Sequence, residues 1–228
     1  MIYVYDVETA PNFFSVVLMD YKGDSGMVFE ISKRVDQSKE LGEFLKENPT
    51  LIGYNNHSYD DPMIVAASKG YTNRKLYNLS CKLINMDDGK DKWDLMRKYK
   101  LKCNSIDLIR LLFSRKLRVG LKSLMVTLKW EKLQDLPFKP DENIPEEMFE
   151  TVLEYNLNDV VFTKYLTQQI KDQLNLRVGI ENEYGLNVMS KDGVGTGVSL
   201  LLHLYANKTG KPERRIRDLR TNRDKGLL

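Results

Sequence analysis

The chain begins with an apolar run, IYVYDV from Ile2 to Val7, that reads as a buried β-strand. Two further apolar runs flank Lys-Gly-Asp-Ser-Gly in NFFSVVLMDYKGDSGMVFEIS, the pattern of a β-hairpin. Leu41, Phe44 and Leu45 recur at helical spacing in SKELGEFLKEN. TLIGYNN reads as a short buried strand ending in polar residues. DDPMIVAASKG reads as a helix, with acids and Pro62 in its first turn and Gly70 as its stop. NSIDLIRLLF contains another short strand and GLKSLMVTLKW a helix. From Pro145 a long helical periodicity runs on, with a break expected near Asn156. Strands that come first and then alternate with helices predict an α/β domain with a mixed sheet over residues 1–185. Over residues 186–228 the character changes. There SKDGVGTGVSLLLHLYANKTGKP predicts a Gly-rich loop feeding a short helix, closed by Gly210 and Pro212.

Length and composition narrow the class. A chain of 228 residues with 42% hydrophobic and 29% charged residues suits one sizeable soluble domain with an appendage. No apolar run approaches a membrane span, and the N-terminus lacks the basic-then-apolar pattern of a signal peptide, so a cytoplasmic protein without a membrane partner is expected. Cys81 and Cys103 are the only cysteines, and His57 and His203 the only histidines. A Cys/His zinc site therefore has no cluster to build on, and any metal must be held by oxygen. The net charge of +3 hides an asymmetry: Lys208 to Lys225 holds eight basic residues and three acids. Such a stretch suits contact with phosphate backbones, and a solvated helix of mixed charge suits it equally well.

Three places carry acids that the core does not need. Asp6 and Glu8 close the first strand and point to the same face, about 7 Å apart along the backbone. Two such charges repel unless a cation lies between them. Asp60 follows LIGYNNHSY at a strand-to-helix junction. Asp159 lies in YNLNDVV with Tyr155 one helical turn before it, on the same face. Each alone is unremarkable, since acids at helix starts are usually caps. G-V-G-T-G lacks both the Lys-Ser/Thr ending and the preceding strand of a phosphate loop, and reads as a helix entry.

Together these segments resemble the three ordered motifs of the proofreading 3′–5′ exonucleases of the RNase H-like superfamily. DVE is similar to the first motif, D-x-E. NNHSYD is similar to the second, with Asn55, Tyr59 and Asp60, and YNLND to the third, Y-x-x-x-D. The wider strings LIGYNNHSYDDPMI, LEYNLNDV and GLKSLMVTLKWEKLQDLPFKPD resemble the exonuclease domains of family B and bacteriophage DNA polymerases. A related branch places His five residues before the last Asp. Here that position is Glu154, and Tyr155 marks the tyrosine branch.

The resemblance implies an RNase H-like mixed sheet flanked by helices, with a helical basic extension. It implies an exonuclease that hydrolyses phosphodiesters at single-stranded DNA 3′ ends with two Mg²⁺ or Mn²⁺ ions. Hard ions of that kind prefer carboxylate oxygen, and an ion pair can serve both ends of an in-line displacement. By the same resemblance Asp6 would bridge the ions, Glu8 and Asp159 would hold one, Asp60 the other, and Tyr155 would orient the attacking water. Thr9 and Asn55 match positions that touch the terminal nucleotide. Asp107 in SIDL suits a supporting or capping role, and Phe13, Phe14, Tyr54 and Tyr59 are either base-stacking residues or core. The expected partner beyond DNA is a polymerase domain, in the same or another chain. Alternatives are an RNA 3′–5′ exonuclease and a non-catalytic nucleic-acid-binding module.

Overall fold

The structure is a computed structural model and describes residues 1–87, 89–113 and 119–213. The chain divides into two compact units, one of Met1–Ile109 and Leu117–Gln169, the other of Arg110–Lys116 and Ile170–Leu228.

The first unit is built on a five-stranded mixed sheet. Strand β1 (Ile2–Ala10) turns at Pro11 and Asn12 into β2 (Phe13–Asp20), and β2 returns through the expected hairpin into β3 (Gly26–Ile31). After helix α1 (Ser38–Lys46), β4 (Thr50–Gly53) pairs in parallel with β1, and β5 (Asn104–Asp107) in parallel with β4. The order is β3-β2-β1-β4-β5, with β2 running antiparallel to both its neighbours. The apolar run underestimated β1. Thr9 and Ala10 continue the ladder opposite Phe14 and Phe13, so Asp6 and Glu8 lie within the strand, opposite Val17 and Ser15.

Alternation along β1 sends Tyr3, Tyr5 and Val7 into one core with Leu41, Phe44, Met63, Ile64 and Leu76. The last three lie on α2 (Asp60–Ala67) and α3 (Asn73–Asn85). On the other face Ala10 and Phe13 pack against Phe149 and Val152, the Phe13 and Phe149 ring centres lying 4.6 Å apart. Between the two cores, on this second face, stand Asp6 and Glu8. Helix α4 (Lys90–Lys98) leads to β5, α5 (Leu108–Leu112) follows β5, and α6 (Leu121–Thr127) comes next. Helices α3 and α4 were not read from the sequence.

The long helix α7 (Phe149–Gln169) runs unbroken through Asn156. Asn156 is buried in it, and its amide nitrogen donates to Ser15 Oγ on β2 at 3.3 Å. The interruption comes at Ile170, before α8 (Lys171–Tyr184).

In the second unit the expected Gly-rich loop and short helix are one 17-residue helix, α9 (Gly193–Thr209). Asp192 caps it by accepting the Gly195 N–H at 2.7 Å, which offsets the poor helix propensity of the glycines that follow. Gly210 ends it at φ +68°, a left-handed conformation that glycine adopts freely. Arg177 is buried on α8 and donates to the carbonyls of Gln173 at 2.9 Å and Lys191 at 3.0 Å. The basic stretch read over Lys208–Lys225 lies outside the described residues beyond Glu213. Among the described residues no helix is long and apolar enough to cross a membrane.

Candidate metal centre

Strand β1 and helix α7 meet at three carboxylates. One oxygen each from Asp6, Glu8 and Asp159 falls within 4.8 Å of the other two. Strand alternation puts the first two on the α7 side of the sheet, and the turn periodicity of α7 brings Asp159 down beside them. Asp60 is not one of these three. It begins α2, buried at 5% exposure, and its charge is the strongest of those raising Asp6. Asp159 acts on Asp6 next, so Asp6 stands under the influence of carboxylates on two different helices.

Burial is the first cause of every shift here. It pushes Asp6 well above the usual carboxylate range, with Asp60 and Asp159 adding to it. Glu8 is raised by burial and then by Asp6 and Asp159. Asp60 is raised by burial and then by Asp61. Asp159 is pushed up to about 6 by burial, against the pull of Lys122 and of a hydrogen bond from Tyr155. The Tyr155 phenol is raised far above its ordinary value by burial and by Asp159, Glu8 and Asp6, so it stays protonated and able to donate.

Lys122 was not singled out from the sequence. Its ammonium lies 5.3 Å from the centre of the Tyr155 ring and 3.6 Å from Asp135 Oδ1, and its charge lowers both Glu8 and Asp159. A signal did exist: a lysine in the first turn of a helix opposes the helix dipole, and α6 begins at Leu121. The Tyr54 hydroxyl donates to the Val119 carbonyl at 2.5 Å and so ties the start of α6 to the end of β4.

The loop after β4 holds the second sequence motif. Asn55 takes a left-handed conformation, φ +62°, and leaves its side chain exposed. Its backbone N–H donates to Asp107 Oδ1 at 2.9 Å, and the same oxygen accepts from the Ile109 N–H at 3.2 Å. Asp107 therefore fastens the loop and caps the chain after β5. Thr9 is buried beside Tyr59, whose hydroxyl hydrogen-bonds with Ser80 Oγ at 2.8 Å. Phe13, Phe14 and Tyr54 are core residues.

Asp61 is a second residue missed, hidden because the pair Asp60-Asp61 reads as a helix start. Its carboxylate accepts from the Tyr5 hydroxyl and, at 2.8 Å, from the Ser105 hydroxyl. His57 Nε2 lies 3.9 Å from it and 3.2 Å from the Ser105 carbonyl. This buried network joins β1, β5 and the turn that delivers Asp60.

The donor set contains oxygen only, without a nitrogen or sulfur ligand in the group, which fits a hard divalent cation rather than zinc or copper. Asp6, Glu8 and Asp60 are each raised by neighbouring acids after burial, and Lys122 acts against the rise of Glu8 and Asp159. A divalent cation would relieve that repulsion. No family model matches the chain, and neither the curated proteins nor the solved structures contain a match.

Proposed function

We propose that the chain is a metal-dependent 3′–5′ exonuclease that hydrolyses phosphodiester bonds at single-stranded DNA ends. The observation that carries this reading is the convergence of Asp6, Glu8 and Asp159 within 4.8 Å, with Asp60 acting on Asp6 and the Tyr155 phenol bonded to Asp159. These five residues are the ones that the three ordered motifs single out. The sheet order with β2 alone reversed is compatible with an RNase H-like fold. The choice of the 3′ end, of DNA and of a polymerase as partner rests on the resemblance of the motifs.

Asp6, Glu8, Asp60 and Asp159 would hold Mg²⁺ or Mn²⁺, two ions by the resemblance. Bound there, the ions supply a nucleophile at neutral pH and take up the negative charge that builds on the leaving oxygen. The chain does the rest. Asp6, on which both Asp60 and Asp159 act, would by the resemblance contribute to holding both ions. Tyr155, kept protonated, offers a fixed phenol to orient the attacking water. Lys122 sets a positive charge beside Glu8 and Asp159, where a phosphate would otherwise meet only acids. Asp61 and Asp107 hold the loop that presents Asp60 and Asn55.

The test is product identity. Incubation of single-stranded DNA with the protein and Mn²⁺ is expected to release deoxynucleoside 5′-monophosphates, and Asp6→Ala to release none. Release by the variant at the wild-type rate would refute the assignment.

A further inference from the structure

Helices α2, α3 and α4 carry a basic surface that the catalytic reading does not use. Residues 69–102 contain ten Lys and Arg against four Asp, in a chain whose net charge is only +3. Three of these cations converge. Lys69 and Lys98 each hold their ammonium 5.4 Å from the centre of the Tyr99 ring, and Lys75 lies 5.8 Å from the Tyr71 ring. The two rings meet edge to face, 6.2 Å apart, and their hydroxyls hydrogen-bond at 3.2 Å.

All three lysines are exposed, and among the described residues none of them pairs with a carboxylate. The same three lysines act on the Tyr71 hydroxyl, which is lowered first by its bond with Tyr99 and then by Lys98, Lys69 and Lys75. Like charges gathered around a shared aromatic pair repel one another, and the tyrosines, Tyr99 buried in the core and Tyr71 half-buried against it, relieve this only in part through their ring faces. An anion would relieve it fully. Further along the same helices, Arg97 lies 4.8 Å over the Trp93 ring, with Trp93 58% exposed, and Arg74 lies 6.0 Å over Tyr77. Of these rings Trp93 is exposed, Tyr71 and Tyr77 are half-buried and Tyr99 is buried. The surface therefore offers a single-stranded nucleic acid chiefly its cations, held over the rings, for contact with phosphates.

We infer that Lys69, Lys75 and Lys98, gathered on the Tyr71–Tyr99 pair, form a binding site for the phosphate backbone of a single-stranded nucleic acid. The site is separate from the carboxylates: α2 begins at Asp60 and ends at Ala67, about 10 Å further along its axis, and Lys69 lies beyond that end. The assignment rests on the nuclease reading in that its ligand is the body of the strand being trimmed. A strand long enough to reach both places is held at both. A dinucleotide reaches only the carboxylates.

The experiment compares the wild-type chain with Lys69→Gln/Lys75→Gln/Lys98→Gln by fluorescence anisotropy. The probes are labelled oligothymidylate and oligouridylate in EDTA over a salt series, with melting curves showing that both proteins fold alike. Removing three phosphate contacts is expected to weaken binding at least tenfold at low salt and to flatten the slope of log K against log salt by about 2. With Mn²⁺, hydrolysis of a dinucleotide is expected to be unchanged while hydrolysis of the oligomer slows. Equal affinity and equal slope for the two proteins would overturn the site and leave the nuclease reading standing. A wild-type chain that binds neither oligomer would overturn it as well. Lysine-dependent binding without any Mn²⁺-dependent cleavage would uphold the site and refute the nuclease. Relative affinities for the two probes report whether the strand is DNA or RNA.

Discussion

The ammonium group of Lys122 lies 5.3 Å from the centre of the Tyr155 ring, and the Tyr155 phenol hydrogen-bonds to Asp159 one turn further along α7. A helix that enters the site from a separate segment thus completes a chain of contacts from a cation to one of the three clustered acids. Removing either link leaves the carboxylates in place but takes away what orients and charges the space beside them. Tyr155→Phe is expected to lower kcat by roughly 10²-fold with little change in the metal-induced melting shift, because in the proposed mechanism the phenol positions water and holds no ion. Steady-state kinetics together with a Mn²⁺ melting series separates the two effects.

Lys122→Gln acts on charge rather than shape. Its loss removes the attraction that lowers Glu8 and Asp159, so both acids rise further and the acidic limb of the pH–rate profile moves to higher pH. A profile of kcat/KM against pH, wild type beside variant, checks the direction of that movement.

The protein without divalent ions should become more stable as the pH falls. Asp159 titrates at about 6 when folded, above the ordinary carboxylate value of 3.8, so the folded state binds more protons than the unfolded state between those values. Stability is therefore greatest below that window and declines as pH rises through about 6, by up to about 1.4 kcal/mol per pH unit for one such group. Asp6, Glu8 and Asp60 are shifted in the same direction and extend the decline upward. Denaturant unfolding in EDTA across this range measures it, and added Mn²⁺ is expected to flatten the trend.

Asp61 supports the site from beneath. Asp61→Ala leaves the Tyr5 and Ser105 hydroxyls without their acceptor and is expected to cost about 3 kcal/mol of stability. Gly53→Ala presses on the same turn, since an added Cβ would stand 2.7 Å from the Asn56 Cβ and 2.9 Å from its Cγ. That substitution is expected to displace the loop that carries Asn55 and Asp60, lowering activity more than stability. Urea melts and initial rates on the same preparations compare the two.

The first unit was legible wherever local pattern and burial agree. The hairpin of β2 and β3, the short strands β4 and β5, and the helix starting at Asp60 all follow from alternation, turn residues and caps. Of the four acids read from the sequence, Asp6, Glu8 and Asp159 do come together, because alternation along β1 and the turn of α7 can be read locally, while Asp60 lies outside that group at the start of α2. Lys122 and Asp61 were not legible, since their meaning comes from contacts across the fold: Lys122 from α6 to α7, Asp61 from α2 to β1 and β5. Asn156 shows the same limit, because its partner Ser15 lies on another element, and the polar residue that looked like a helix break is held within the helix. In α9 one cap, Asp192, outweighed what the glycines alone suggested.

The most direct measurement of the central claim is a time course on single-stranded DNA labelled at its 5′ end, with Mn²⁺, for the wild-type chain and Asp6→Ala. The expected result is a ladder of labelled products that shortens one nucleotide at a time from the 3′ end, is lost on adding EDTA, and is absent in the variant. A ladder of equal intensity from Asp6→Ala, or a label released at once as a mononucleotide from the 5′ end, would contradict it.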